Sequence, residues 1–169
     1  MLPGPPIAIL TNASLISQED VRRALALFDV VVAKLDAASE ELFRQINRPF
    51  VSCTLADIVM GLRRFRQAFG GKLALQMMFV EANRKWAAEM AALARSCAPD
   101  EVQLNTPLRP SPVPPLSPKE MEEIEAAFAG LPVVNVYKAK RPAVTPLDET
   151  ETGRRRPTSG PPSAIEEKV

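Results

Sequence analysis

Short apolar runs alternate with helix-like segments along most of the chain, and this alternation limits the possible folds more than any other feature. Most of the runs are nearly continuous in apolar residues, which is typical of strands that are buried on both faces of a parallel sheet. The runs occupy residues 7–11, 30–33, 73–80, 101–105 and 133–137. The sequence therefore predicts an α/β fold in which helices cover a parallel sheet of about five strands.

The segments between the runs begin with helix-capping signals. Ser117 is followed by a proline at the first helical position and by Glu120 at the capping-box position, and Thr54 precedes Asp57 in a similar pattern. Asn83 is expected to cap a further helix. Such helices fit either an open doubly wound sheet or an arc of a (β/α) barrel, and a closed barrel normally has eight strands.

The absence of histidine removes several kinds of catalysis. The 169 residues contain two cysteines, Cys53 and Cys97, and no histidine. This excludes Ser-His-Asp and Cys-His machinery and histidine zinc sites. The two cysteines are too far apart for a CxxC pair, and each is interpreted as a small buried apolar residue. Any chemistry would therefore depend on a cofactor.

Charge and targeting signals give no indication of a polyanionic partner. The formal net charge is +1, which offers no electrostatic reason to expect nucleic acid or an anionic membrane as a partner. No apolar run approaches the length of a membrane span, and the N-terminus lacks the pattern of a signal peptide, so we expect a cytoplasmic protein. No GxGxxG or GxxxxGK[ST] motif follows a strand, which argues against dinucleotide and nucleoside-triphosphate binding.

The composition changes near residue 138. Residues 1–137 are expected to form the α/β unit, and residues 138–169, rich in proline and arginine, to form a mostly disordered tail. The tail carries three consecutive arginines, Arg154, Arg155 and Arg156. We interpret them as a solvated run rather than a nucleic-acid patch.

Polar residues collect where the predicted strands end, which is where ligands bind in parallel α/β folds. Gln76 lies within an apolar strand and needs a hydrogen-bond partner. Turn formation and helix capping are the alternative roles for most of the others. The residues at the carboxyl ends are Thr11, Asn12, Lys34, Asp36, Glu81, Asn105, Thr106 and Arg109.

Four segments together resemble the later part of the barrel in the radical S-adenosylmethionine (radical SAM) superfamily. They are AILTNASLIS, AKLDAASEELFRQINRP, LQMMFVEANR and DEVQLNTPLRPSPVPPLSP, and the resemblance extends over roughly residues 2–156. It is closest to prokaryotic Fe–S oxidoreductase-like members. The resemblance implies a partial (β/α)6 barrel, of which this chain would be the later portion, lacking the first two βα units.

The same resemblance implies cofactors and binding residues. Members of the superfamily use a [4Fe–4S] cluster to cleave S-adenosylmethionine reductively, giving a 5′-deoxyadenosyl radical. Thr11 and Asn12 match the family's TNG, and Asp36 matches the aspartate of its SLDA. These three residues would lie near S-adenosylmethionine, and Gln76 and Asn105 would face the same cavity. The resemblance assigns no catalytic residue and no metal ligand in this chain.

Three departures from the family pattern affect these expectations. Ala13 replaces a glycine, which predicts that a turn with positive φ is not formed there. Lys34 replaces a serine and adds a cation to the binding wall. The CxxxCxxC loop that holds the cluster is absent from this sequence. The expected partner is therefore an N-terminal half that carries the cluster motif.

Three functional hypotheses follow. In the first, the chain is the C-terminal part of a radical SAM enzyme and contributes the wall of the S-adenosylmethionine site and the substrate side, the substrate being a small molecule or a macromolecule. In the alternative, it is a non-catalytic, degenerate α/β barrel that acts as a binding or partner module. In the third, it is an unrelated α/β binding domain.

Overall fold

Five parallel strands form one sheet in a computed structural model that describes residues 4–140. The strands lie in the order β1-β2-β3-β4-β5, so each pairs with its neighbours in sequence. Their bounds are Ala8–Thr11 (β1), Val30–Lys34 (β2), Lys72–Met78 (β3), Glu101–Asn105 (β4) and Val133–Asn135 (β5). The predicted α/β fold with five parallel strands is confirmed.

Helices connect the strands, and each crossover returns the chain to the next parallel strand. The helices are Glu19–Leu25 (α1), Glu40–Ile46 (α2), Leu55–Ala68 (α3), Ala87–Cys97 (α4) and Pro118–Ala127 (α5), with a 3₁₀ turn at Arg84–Trp86. Both α2 and α3 fall between β2 and β3. All of these elements lie in one unit, Met1–Ala139.

The strand order decides between the two architectures that the sequence left open. A doubly wound sheet reverses the direction of strand addition at a switch point, whereas here every new strand is added on the same side of the previous one. Because parallel crossovers are right-handed, successive additions in one direction place the helices on the same face of the sheet. The sheet is therefore an open arc of the (β/α) barrel type.

The register separates the side chains into two faces. Alternate residues such as Val31, Leu75 and Leu104 are fully buried beneath the helices. The residues between them point to the opposite face, here called the open face, and most are only partly buried. The open face includes Leu10, Val32, Lys34, Lys72, Ala74, Gln76, Met78, Glu101, Gln103 and Asn105.

Two capping boxes confirm the helix starts predicted at Thr54 and Ser117. The Thr54 hydroxyl accepts from the Asp57 backbone N–H and the Asp57 carboxylate accepts from the Thr54 backbone N–H, and Ser117 and Glu120 form the same pair of bonds. Each box satisfies two of the unpaired groups at a helix N-terminus. These bonds lower the pKa of the Asp57 and Glu120 carboxyl groups, since they favour the ionised forms.

We expect acid to destabilise the fold through these caps. A carboxyl whose pKa is lowered in the folded state stabilises the protein above its unfolded pKa, here near the ordinary 3.8 for Asp and 4.5 for Glu. This contribution is lost as the pH falls through and below that range. Urea unfolding between pH 7 and pH 3 measures the loss, and the double variant Asp57→Asn, Glu120→Gln should depend less steeply on pH. An equally steep dependence in the variant would contradict the assignment.

Two predicted strands extend two residues beyond the ends that the structure has, for local reasons. The third strand ends at Met78 rather than at residue 80, because the Val80 N–H donates to the Asn83 side chain instead of continuing the ladder. The fifth strand ends at Asn135, whose side-chain oxygen accepts from the Tyr137 N–H. The predicted tail lies outside the described residues from residue 141 onward and stays a prediction. Within residues 4–140, no helix combines the length and hydrophobicity that a membrane crossing requires.

Candidate functional site

Asp36 joins the carboxyl ends of β2 and β3. One carboxylate oxygen, Oδ1, accepts from the Met78 backbone N–H at 2.8 Å, and Oδ2 accepts from the Asn47 side-chain amide at 2.9 Å. The Lys34 ammonium lies 3.3 Å from Oδ2, and the Asp36 side chain is 3% exposed. Asp36 lies at the predicted edge of the sheet, but its carboxylate is occupied by neighbours in the protein.

Asn83 reinforces the same junction instead of capping a helix. Its side-chain amide donates to the backbone oxygens of Asp36 and Met78, at 3.0 and 2.9 Å, and its oxygen accepts from the Val80 N–H. Asn83 is fully buried, and its side chain makes no capping bond to the 3₁₀ turn that follows. The expectation of a cap was wrong, because the side-chain oxygen that would accept a capping bond accepts from the Val80 N–H instead.

Thr11 and Asn12 form the turn that follows β1. The Thr11 hydroxyl accepts from the Ala13 N–H at 3.1 Å, and the Asn12 side-chain oxygen accepts from both the backbone and the hydroxyl of Ser14. Ala13 has φ of 59°, so the expectation that alanine prevents a positive-φ turn was wrong. The local side-chain bonds offset the cost of the left-handed conformation, which is about 1–2 kcal/mol.

Gln76 and Asn105 lie on the open face, together with Lys34. The register pairs Lys34 with Gln76 and Met78 with Asn105, whereas Thr11 pairs with Ala33 and so lies on the helix-covered side. The register therefore places Gln76 and Asn105 on the face of the sheet opposite to Thr11. Thr11, Asn12 and Asp36 make bonds within the protein, and Gln76 and Asn105 face outward from the sheet. Their role in cofactor binding stays a prediction.

Gln103 was missed by the sequence reasoning, although it neighbours Gln76 across the ladder. The Gln76 amide donates to Gln103 Oε1 at 3.2 Å, and the Gln103 amide donates to Glu101 at 2.9 Å. The alternation of polar and apolar residues in Glu101–Asn105 was the available signal, since it places Glu101, Gln103 and Asn105 on one face.

The loop after β4 is fixed at both ends. Thr106 is 3% exposed, and its hydroxyl accepts from the Leu116 N–H at 2.8 Å. The Tyr137 hydroxyl donates to the Leu116 carbonyl at 2.7 Å. Arg109 lies on the exposed part of this loop. The loop is positioned at the carboxyl edge of the sheet, beside the open-face residues.

An iron–sulfur cluster does not fit the cysteines of this chain. Both are buried in the hydrophobic core, with Cys53 6% and Cys97 1% exposed. Burial is the main cause that raises the pKa of each thiol, whereas cluster ligands are thiolates. Among residues 4–140, no group of three or more His, Cys, Asp or Glu side chains could hold a metal ion. Two cysteines also cannot supply the usual set of ligands.

The polar side chains of the open face suit S-adenosylmethionine, whereas the cysteines do not suit an iron–sulfur cluster. Lys34, Gln76 and Asn105 provide an ammonium and two amides at half-buried positions. Such groups suit hydrogen bonds to the carboxylate, hydroxyl or amino groups of an organic ligand.

A groove lies among the helices, away from the open face. This groove of about 360 Å³ is lined by α2, α3 and α4, including Glu40, Met60, Arg63 and Leu93. Its carboxylate, on the partly exposed Glu40, accepts from the Leu55 N–H at 2.7 Å and pairs with Arg44 at 2.8 Å. Glu40 thus holds the start of α3 to α2, which is a structural role.

The chain is similar in sequence to UPF0026 proteins. It is 35% identical over 127 residues to one from Methanocaldococcus jannaschii, and 35% identical over 113 residues to one from Synechocystis sp.. These matches cover 73% and 66% of this chain but 40% and 43% of the two relatives, so the chain spans less than half of their length. No protein-family model matches the chain.

The fold is shared with a radical SAM methyltransferase from Sphaerobacter thermophilus. The superposition has a TM-score of 0.59 and covers 76% of this chain and 39% of that protein. The sequence identity is 20%, so this likeness concerns the fold alone. The radical SAM resemblance of the sequence thus has a structural counterpart in the arrangement of the sheet.

Proposed function

We propose that this chain forms the later part of a radical SAM barrel and contributes the wall of the S-adenosylmethionine site and the substrate side. The observation that carries the proposal is the singly wound parallel sheet, whose fold is shared with a radical SAM methyltransferase. S-adenosylmethionine, when bound beside a reduced cluster, supplies a 5′-deoxyadenosyl radical. The residues of this chain would bind and orient the organic groups at the open face.

The cluster would be held by a segment carrying CxxxCxxC, on the same polypeptide or on another. β1 is the end strand of the sheet; Leu10 within it is 58% exposed, and Ile7 just before it is 61% exposed. The outer edge of β1 has no partner strand among the described residues, so it offers free backbone groups to a further parallel strand. The greater length of the relatives is consistent with such a segment.

A non-catalytic binding module is the second candidate. It is favoured by the mismatch between the two buried cysteines and a cluster. In that case the open face would bind a metabolite or partner without any redox chemistry. The two proposals differ in whether a cluster-bearing segment accompanies this chain.

We expect the chain alone to acquire no iron–sulfur cluster on anaerobic reconstitution, because Cys53 and Cys97 are buried and cannot supply a ligand set. The double variant Cys53→Ser, Cys97→Ser is the matched control and should give the same baseline spectrum. A stoichiometric cluster that is lost in this variant would show that the ligands have been misassigned.

The complementary experiment supplies the proposed segment. The DNA upstream of Met1 is translated in every frame, and a segment with CxxxCxxC is produced together with this chain. We expect the reconstituted pair to cleave S-adenosylmethionine to methionine and 5′-deoxyadenosine. Absence of the motif upstream would place the segment on another polypeptide, and an inactive pair that contains an intact cluster would favour the binding module.

A further inference from the structure

The open face carries a connected row of polar side chains, here called the polar row, which consists of Lys72, Glu101, Gln103 and Gln76. The Lys72 ammonium donates to Glu101 Oε2 at 2.6 Å, and Gln103 Nε2 donates to Glu101 Oε1 at 2.9 Å. Gln76 Nε2 then donates to Gln103 Oε1 at 3.2 Å. The row crosses from β4 to β3 and leads toward β2.

The ion pair at one end of the polar row sets the orientation of the amide at the other. The hydrogen bond from Lys72 is the main cause that lowers the pKa of Glu101, so this carboxylate is ionised near neutral pH and only accepts. Gln103 must therefore turn its amide nitrogen to Glu101 and its oxygen to Gln76. Gln76 in turn donates to Gln103, which leaves Gln76 Oε1 as the acceptor at the end of the row.

Lys34 occupies the neighbouring position to Gln76 on the adjacent strand β2. Lys34 and Gln76 are partners in the parallel ladder, and adjacent strands lie about 4.8 Å apart. The Lys34 side chain is 28% exposed, and an ammonium has three donors, of which Asp36 takes one. Asp36 also accepts from the Met78 N–H and the Asn47 amide, so it does not depend on Lys34 alone for its hydrogen bonds. Lys34 thus retains donors for a further acceptor.

We propose that Lys34 and Gln76 bind the carboxylate end of a small ligand on the open face, with Lys34 donating to the carboxylate and Gln76 Oε1 accepting from a hydroxyl or amino group next to it. α-Hydroxy acids and α-amino acids have this arrangement. A phosphate presents acceptors only, apart from its exchangeable proton, and would face the Gln76 oxygen unfavourably. The inference rests on the proposed function, for which it names a ligand class, and the carboxylate belongs either to S-adenosylmethionine or to a separate acid.

Nuclear magnetic resonance of the full chain tests the pair directly. The probes are L-lactate, which has both groups, propionate, which lacks the hydroxyl, and lactamide, which lacks the carboxylate. We expect lactate to shift the side-chain signals of Gln76 and Lys34 saturably, and the other two probes to bind about tenfold more weakly, since each loses one bond. Equal responses to lactate and lactamide, or no shift of either side chain with lactate and S-adenosylmethionine, would overturn the proposal.

Variants separate binding from folding. Lys34→Met should weaken lactate binding by at least about tenfold, whereas Lys119→Met on the exposed face of α5 should leave it unchanged. Lys34→Arg preserves the cation beside Asp36 and should fold and bind even if the methionine variant does not fold. Glu101→Gln frees the orientation of Gln103 and should reduce the preference for lactate over propionate, which a purely structural role would not predict.

The source of the carboxylate is identified with a second pair of probes. S-adenosylmethionine has the amino-acid carboxylate, and 5′-methylthioadenosine lacks it. Shifts of Gln76 with the first probe alone would assign the carboxylate to S-adenosylmethionine, and shifts with lactate alone would assign it to a separate acid. These titrations require no cluster and no radical, so failure of S-adenosylmethionine cleavage in the reconstituted pair would leave their outcome unaffected.

Discussion

Replacing Gly61 with alanine is expected to lower the free energy of unfolding by about 2–3 kcal/mol, although alanine normally stabilises a helix interior by about 1 kcal/mol relative to glycine. Gly61 lies within α3, where a Cβ would stand 2.6 Å from the Ile16 side chain and 2.8 Å from the Ile16 backbone carbon and oxygen. Ile16 is fully buried. The backbone atoms cannot move aside, so α3 and the loop after β1 must separate.

Gly70 provides the matched control for this substitution. A Cβ at Gly70 would meet nothing within 4 Å, and its φ lies outside the left-handed region. Gly70→Ala should leave the stability unchanged or raise it by up to about 1 kcal/mol. Urea unfolding of the two variants beside the parent measures both effects. A Gly61→Ala variant as stable as Gly70→Ala would show that α3 does not approach Ile16 this closely.

The parts of the fold that depend on neighbouring residues could be predicted from the sequence. The strands follow from local apolar runs, and the Thr54 and Ser117 caps form within three residues of their partners. The strand order could not be predicted from local residues, because an open doubly wound sheet and an arc of a (β/α) barrel have the same alternation of strands and helices. It depends on which strands pair, and the capped helices do not specify that choice.

The candidate site was less predictable because its bonds join distant residues. Asp36 accepts from a backbone group 42 residues away, and Asn83 donates to a carbonyl 47 residues away. Sequence position placed Asp36 at the correct edge of the sheet but gave no information about what its carboxylate contacts. At Ala13 the error was of a different kind. The rule that a positive φ favours glycine predicted no such turn, but the side-chain bonds of Thr11 and Asn12 stabilise it.

Removing the Asp36 carboxylate is the second substitution with a large expected effect. Asp36→Ala would leave the Met78 N–H and the Asn47 amide without their acceptor and Lys34 without its counter-ion. Breaking a buried ion pair costs about 3–5 kcal/mol, so we expect a loss of this size in urea unfolding with no ligand present. A variant as stable as the parent would indicate that the Asp36 carboxylate does not hold β2 to β3.

Exchanging Asp36 and Asn47 tests the same junction without removing either polar group. Asp36→Asn alone removes the counter-ion of Lys34, and Asn47→Asp alone brings two carboxylates together, so each should be destabilising. The double variant restores one donor and one acceptor. We therefore expect the double variant to lose about 1–3 kcal/mol less free energy of unfolding than the two single losses add up to. Additive losses would mean that the two side chains do not interact, and the loop after α2 would then be held to β2 by other contacts.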